Sequence, residues 1–182
     1  RNDATARLAN VTTTSKGLGT TNNLLSKNHF AGNEQEEKID FSQTFTGTLG
    51  SESVRNTTEY WYGATPIRAD NSGILSDMEL TKTVQYRLGA FGSDATTGLF
   101  QQTVTYFKGN VNEEKQDYSL SYKSDGSNVV NTTVFFYDGN VRAVSGPGKK
   151  LIQSVTLRND ATAQLANVTP TSKGLGTTNN LL

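Results

Sequence analysis

Few residues in this chain could do chemistry. There is one histidine, His29, and no cysteine, so thiolate nucleophiles, disulfides and Cys-ligated zinc are excluded. His29 sits beside Phe30 with no nucleophile or orienting acid at a suggestive spacing, and a catalytic histidine needs both. Glu36-Glu37 and Glu113-Glu114 are adjacent acids on solvated stretches, not carboxylates converging across a cleft. Asp70, Asp77, Asp125 and Asp138 lie in or near turns and are the groups that would gather calcium. None belongs to a D-x-[DN]-x-[DN]-G loop, so they read first as turn formers and no cofactor is implied. No G-x-S-x-G, P-loop or G-x-G-x-x-G is present. These absences point away from an enzyme.

Three other features could carry interactions. Tyr60-Trp61-Tyr62 is the densest aromatic cluster and a candidate platform for a sugar ring or protein partner. Successive strand residues face opposite sides, however, so Trp61 and the two tyrosines cannot all be buried in a one-sided sheet. Asn10, Asn56, Asn131 and Asn167 each begin an N-x-Thr sequon and are candidate glycosylation sites, with Pro170 after the last sequon making Asn167 the poorest acceptor. Lys38 and Lys82 lie on strand-like stretches where a Lys–Asn isopeptide staple would be conceivable, although no diagnostic spacing supports one.

The elements that hold these residues read as strands. In 39–49 the apolar residues Ile39, Phe41, Phe45 and Leu49 share one parity; Leu80, Val84, Tyr86 and Leu88 do so in the next run. Phe100, Val104 and Tyr106, then Tyr118, Leu120 and Tyr122, repeat the pattern. Each is a half-buried strand. Residues 129–144 predict a hairpin turning at Asp138-Gly139, and 124–128 another turn. Residues 73–80 allow a short helical turn. The body is therefore expected to be all-β, an antiparallel β-sandwich of Ig-like or jelly-roll-like kind. Only alternate positions need burial, so 34% apolar residues and a mean hydropathy of −0.54 suffice.

With 17 basic and 17 acidic residues the chain lacks the cationic excess that grips nucleic acid, and no apolar run spans a bilayer. Abundant Thr, Asn, Ser and Gly suit strands and turns outside the cell.

The dominant feature is a duplication. Residues 1–25 (RNDATARLANVTTTSKGLGTTNNLL) recur at 158–182 (RNDATAQLANVTPTSKGLGTTNNLL), differing only at Arg7/Gln164 and Thr13/Pro170. The chain thus divides into an N-terminal copy (1–25), a body (26–157) and a second copy (158–182). Either this is a window on a tandem array of 157-residue period, or a copy of the N-terminal segment has been joined to the end as a donor strand. The two exchanges favour the array, because natural repeats drift. Leu151, Val155, Leu157, Ala161, Ala163 and Leu165 are all odd-numbered, so one apolar face is expected to run as a strand across the junction. In the first copy that face is Ala4, Ala6 and Leu8. The expectation is that 158–168 pair in a sheet and that each unit shares a terminal strand with the next.

In organisation, carried by Ala4, Ala6 and Leu8 and their partners Ala161, Ala163 and Leu165, the chain resembles the repeat region of a tandem-repeat surface adhesin. It equally resembles a pilin-type subunit that donates a strand to its neighbour, though without a cysteine pair. The resemblance implies a structural unit of an extracellular, cell-surface filament, pilus or adhesin stalk. Its partners would be neighbouring copies of the same unit. The alternative is an adhesin module binding host or cell-surface glycans, repeated for avidity.

Overall fold

The computed structural model describes residues 12, 17–18, 22–143, 149–172, 174–175 and 179–180. Its strands are β1 (Gly17–Leu18), β2 (Asn22–Asn23), β3 (Ser26–Ala31), β4 (Lys38–Thr46), β5 (Ser53–Tyr62), β6 (Ile67–Arg68), β7 (Leu80–Arg87), β8 (Gln101–Lys108), β9 (Lys115–Tyr122), β10 (Val129–Tyr137), β11 (Leu151–Arg158), β12 (Gly174–Leu175) and β13 (Asn179–Asn180). Nine of them form one antiparallel sheet, ordered β11-β10-β9-β8-β7-β5-β4-β3, with β6 added to β5. The all-β expectation holds in this form. The remaining four described strands form two separate two-stranded sheets, β1 with β2 and β12 with β13. No helix among the described residues is long and apolar enough to cross a membrane.

The register explains why alternation was readable. One row of facing residues crosses every long strand: His29, Phe41, Glu59, Val84, Val104, Leu120, Thr132 and Leu157. Beyond His29 every member is buried. The opposite face carries Tyr60, Thr83, Thr105, Ser119, Thr133 and Thr156 in a parallel row. Its polar residues stay half-exposed, and Thr133 and Thr156 share a hydroxyl hydrogen bond of 2.9 Å. β-branched hydroxyl residues suit such a face, since they fit the pleat and tolerate water.

A sheet with one buried face needs a cover. Part of it is the β7–β8 loop, residues 88–100. Gln43 and Thr57, both fully buried, hold that loop down. The Gln43 amide donates to the carbonyls of Ala90 (2.9 Å) and Ser93 (3.1 Å) and accepts from Gly92 N–H (2.8 Å), while Thr57 Oγ1 donates to Leu88 O (2.9 Å). Phe91 adds a ring contact to Phe45, centroids 5.4 Å apart. Gly89 has φ 143°, a region L-residues avoid, and a Cβ there would strike Thr57 Oγ1. Gly89→Ala is therefore expected to destabilise by about 1–3 kcal/mol, read as a lowered urea midpoint with an unchanged slope.

Two local expectations change. Among the described residues, those that follow Asp138-Gly139 make no return strand before β11: Val141 makes one isolated bridge to Tyr137, and β10 pairs with β11. Asn140 has φ 59°, so the turn closes but the chain then leaves the sheet. Residues 73–80 form separate turns, Ile74 N–H to Asn71 O and Met78 N–H to Leu75 O, and Leu80 already begins β7.

Candidate functional site

Residues 161–168 of the second copy pack on the buried face of the sheet at its β10–β11 end. They do not continue as a strand, so the expectation that 158–168 pair in a sheet is corrected. β11 stops at Arg158, Asn159 takes the left-handed φ of 60°, and Thr162–Asn167 wind into a 3-10 helix. Local hydrogen bonds enforce the bend. Thr132 Oγ1 donates to Asn159 O (2.9 Å) and accepts from Ala161 N–H (3.0 Å), and Asp160 Oδ1 accepts from Thr162 N–H (2.8 Å). A short polar side chain at each corner satisfies backbone groups the lost ladder would otherwise leave bare.

The folded-back segment then fills the core. Ala161 and Val168 are buried in one cluster with Val134, Phe136, Val155 and Leu157, and Leu165 and Tyr118 pack against it. Val134 and Leu157 have no exposure at all. Ala161 and Leu165 thus serve the apolar role expected of them, Ala161 at the corner before the 3-10 turn and Leu165 within it. Ala163, with the same parity, is exposed. Further along, Gln153 Nε2 donates to Pro170 O (2.8 Å), tying the return path to the edge strand.

Both copies share local structure where both are described. β1 pairs with β2 through Gly17–Asn23 and Leu18–Asn22, and β12 with β13 through the equivalent Gly174–Asn180 and Leu175–Asn179. The two exchanged positions are not among Ala161, Leu165 and Val168, the residues packed in the cluster. Pro170 contributes a main-chain carbonyl that a threonine would also supply. Ala4, Ala6, Leu8 and the sequon residue Asn10 lie outside the described residues.

The aromatic trio is not one platform. Tyr62 is buried with its hydroxyl donating to Ile39 O (2.8 Å). Tyr60 faces the other side and shares a hydrogen bond with Ser42 (3.2 Å). Trp61 stands half-buried on the covered face, donating to Glu59 (3.3 Å) under the Lys82 ammonium, 4.6 Å from its ring. A cavity of about 540 Å³ lies nearby, lined by Lys82, Tyr106, Lys108 and Tyr118 among others; the two tyrosine rings stack at 4.5 Å.

Among the sequons, Asn167 is exposed, whereas Asn56 and Asn131 are half-buried within β5 and β10. Of the turn aspartates only Asp70 joins a carboxylate group, with Asp40 and Asp94, their oxygens within 4.8 Å. Arg68 already bonds two of the three. Asp125 instead accepts from the backbone of Ser127 and Asn128 in the β9–β10 turn, which holds its carboxyl down at about 2. Lys38 donates to the carbonyls of Ser76 and Met78, and neither it nor Lys82 bonds an Asn side chain among the described residues. His29 stacks on Phe41 at 4.0 Å, an edge-strand packing role. Glu114 accepts from Leu80 N–H (3.0 Å).

Burial raises the hydroxyls of Tyr62, Tyr86, Tyr118, Tyr122 and Tyr137, that of Tyr118 to about 12. A raised acid is more stable neutral in the folded chain, so its contribution is full below about pH 10, the ordinary tyrosine value, and is lost as pH climbs through 12. Absorbance at 295 nm should show these five tyrosines ionising late, together with loss of sheet signal. Early ionisation of all the tyrosines with the fold intact would contradict this.

Comparison with known proteins finds no match to any family model, curated protein or solved structure. The polar anchor of the β7–β8 loop leaves a signal in the sequence that apolar alternation does not use. Gln43 falls between Phe41 and Phe45 on the apolar parity of its strand, where a polar residue must be buried and bonded.

Proposed function

We propose that this chain is a structural unit of an extracellular surface fibre or adhesin stalk, in which units follow one another end to end through the repeated 25-residue segment. One observation carries the reading. A segment present twice, 157 residues apart, contributes buried side chains to the core of the body that precedes it. In an array, the start of each unit would therefore complete the unit before it. This is complementation in purpose, like a donated strand, but achieved by a folded-back 3-10 segment. The segment packs on the β10–β11 end of the sheet, as residues 88–100 pack over Gln43 and Thr57. Shared core residues leave little freedom at the joint, and stiff joints in series make a rod.

The test is a chain of several consecutive 157-residue units studied by small-angle scattering. A rod-like profile whose length grows in proportion to unit number supports the proposal. A profile of beads on a flexible string defeats it.

The cavity beside Lys82 and Tyr106 favours a second reading, a glycan-binding module. Glycan-array binding lost in Tyr106→Ala, with melting unchanged, would favour that reading over a purely mechanical one.

A further inference from the structure

We propose that the seat on β10 and β11 is an exchangeable binding site whose ligand is residues 1–15 of a second copy of this chain. The inference rests on the joint described above and adds that the joint can form between separate molecules.

The argument starts from what the seat reads. Its floor is Val134, Phe136, Val155 and Leu157, and its occupant presents Ala161, Leu165 and Val168, spaced i, i+4, i+7. The N-terminal copy has Ala4, Leu8 and Val11 at the same spacing. The polar groups that shape the occupant are also repeated. Asp160, which caps Thr162 N–H, corresponds to Asp3; Thr169 and Ser172, which bond across the following turn, correspond to Thr12 and Ser15. The two positions that differ are not among Ala161, Leu165 and Val168, and the one bond from the seat to Pro170 uses a carbonyl that Thr13 also has. Each of these groups of the second copy thus has its counterpart in the first.

A tethered occupant acts at an effective concentration on the order of millimolar, so a chain whose own second copy is intact fills its own seat at micromolar concentration. Weakening that copy should open the seat to a neighbour. In the full chain carrying Leu165→Asp and Val168→Asp, Leu8 and Val11 of one molecule should dock on another. Sedimentation velocity should then show a concentration-dependent rise of at least twofold in weight-average mass. Adding Leu8→Asp and Val11→Asp to the same chain should restore the monomer.

Each result decides. A folded, monomeric Leu165→Asp/Val168→Asp chain overturns the exchange, as does association that persists after Leu8→Asp/Val11→Asp. Should the first variant not fold, it is refolded with a synthetic peptide of residues 1–15. Recovery of the native circular dichroism with this peptide, but not with its Leu8→Asp form, supports the proposal; no recovery overturns it. Melting temperature separates the two levels of argument. A lowered value without exchange leaves sealing by the chain's own second copy in place, and an unchanged value removes both ideas.

Discussion

Replacing Arg68 by methionine should cost about 3–5 kcal/mol, because it strands two buried carboxylates. Arg68 forks onto Asp40 through Nε (3.0 Å) and Nη2 (2.8 Å), and reaches Glu59 at 3.2 Å and Asp94 at 3.2 Å. The side chains of Arg68, Asp40 and Glu59 are 13%, 8% and 6% exposed, so water cannot take over from the guanidinium. Glu59 keeps hydrogen bonds from Thr96 (3.0 Å) and Trp61 (3.3 Å), but neutral donors do not balance a second carboxylate nearby. Arg68→Lys should fall between, since an ammonium cannot fork onto both acids. Asp94→Asn is the control: its side chain is 43% exposed, and the expected loss is below about 1 kcal/mol. Denaturant unfolding measures all three. Equal losses for Arg68→Met and Asp94→Asn would show that the interior does not depend on this pairing.

Ending the chain after Asn159 should lower stability by roughly 4 kcal/mol. That figure takes about 1.5–3 kcal/mol for the buried Val168 side chain, with the partly buried Leu165 and the small Ala161 each adding less. For a body of this size it corresponds to a melting temperature lower by about 10 °C. Val134, Phe136, Val155 and Leu157 would become open to water, so the truncated chain should also bind an apolar dye that the full chain excludes. Sheet content should remain, because the ladders from β3 to β10 involve none of the removed residues. Unchanged melting would mean that the repeated segment is a tether and not part of the core.

The alternating strands were legible from the sequence because one face is buried and the other wet. Ile39 to Phe45, Leu80 to Tyr86 and Tyr118 to Tyr122 fall within β4, β7 and β9. β5 was harder to read, since its inward positions include Thr57 and Glu59, buried by bonding rather than by apolarity. β3 is an edge strand with an alternately exposed, largely polar sequence, and so gave no pattern. The second copy was misread for a geometric reason. Apolar parity does not register a bend: Ala161 and Leu165 keep the odd numbering of β11, yet they lie at and within a 3-10 turn whose period is three. Val168, even-numbered, is buried just beyond that turn in extended backbone, and Asn159-Asp160 marks the corner where the strand ends. The exposure of Ala163 follows from the same bend.

The strand order also has a consequence for biogenesis. Nearly every strand of the meander lies beside its predecessor in the chain, so closing each ladder needs only a short loop, and pairing can proceed from β3 onward as the polypeptide leaves the ribosome. The last step alone waits on sequence still to come, because the floor of Val134 and Leu157 is roofed by residues translated after it. In a series of such units, completion of one and initiation of the next would be a single event, and nascent chains would mature in strict N-to-C order.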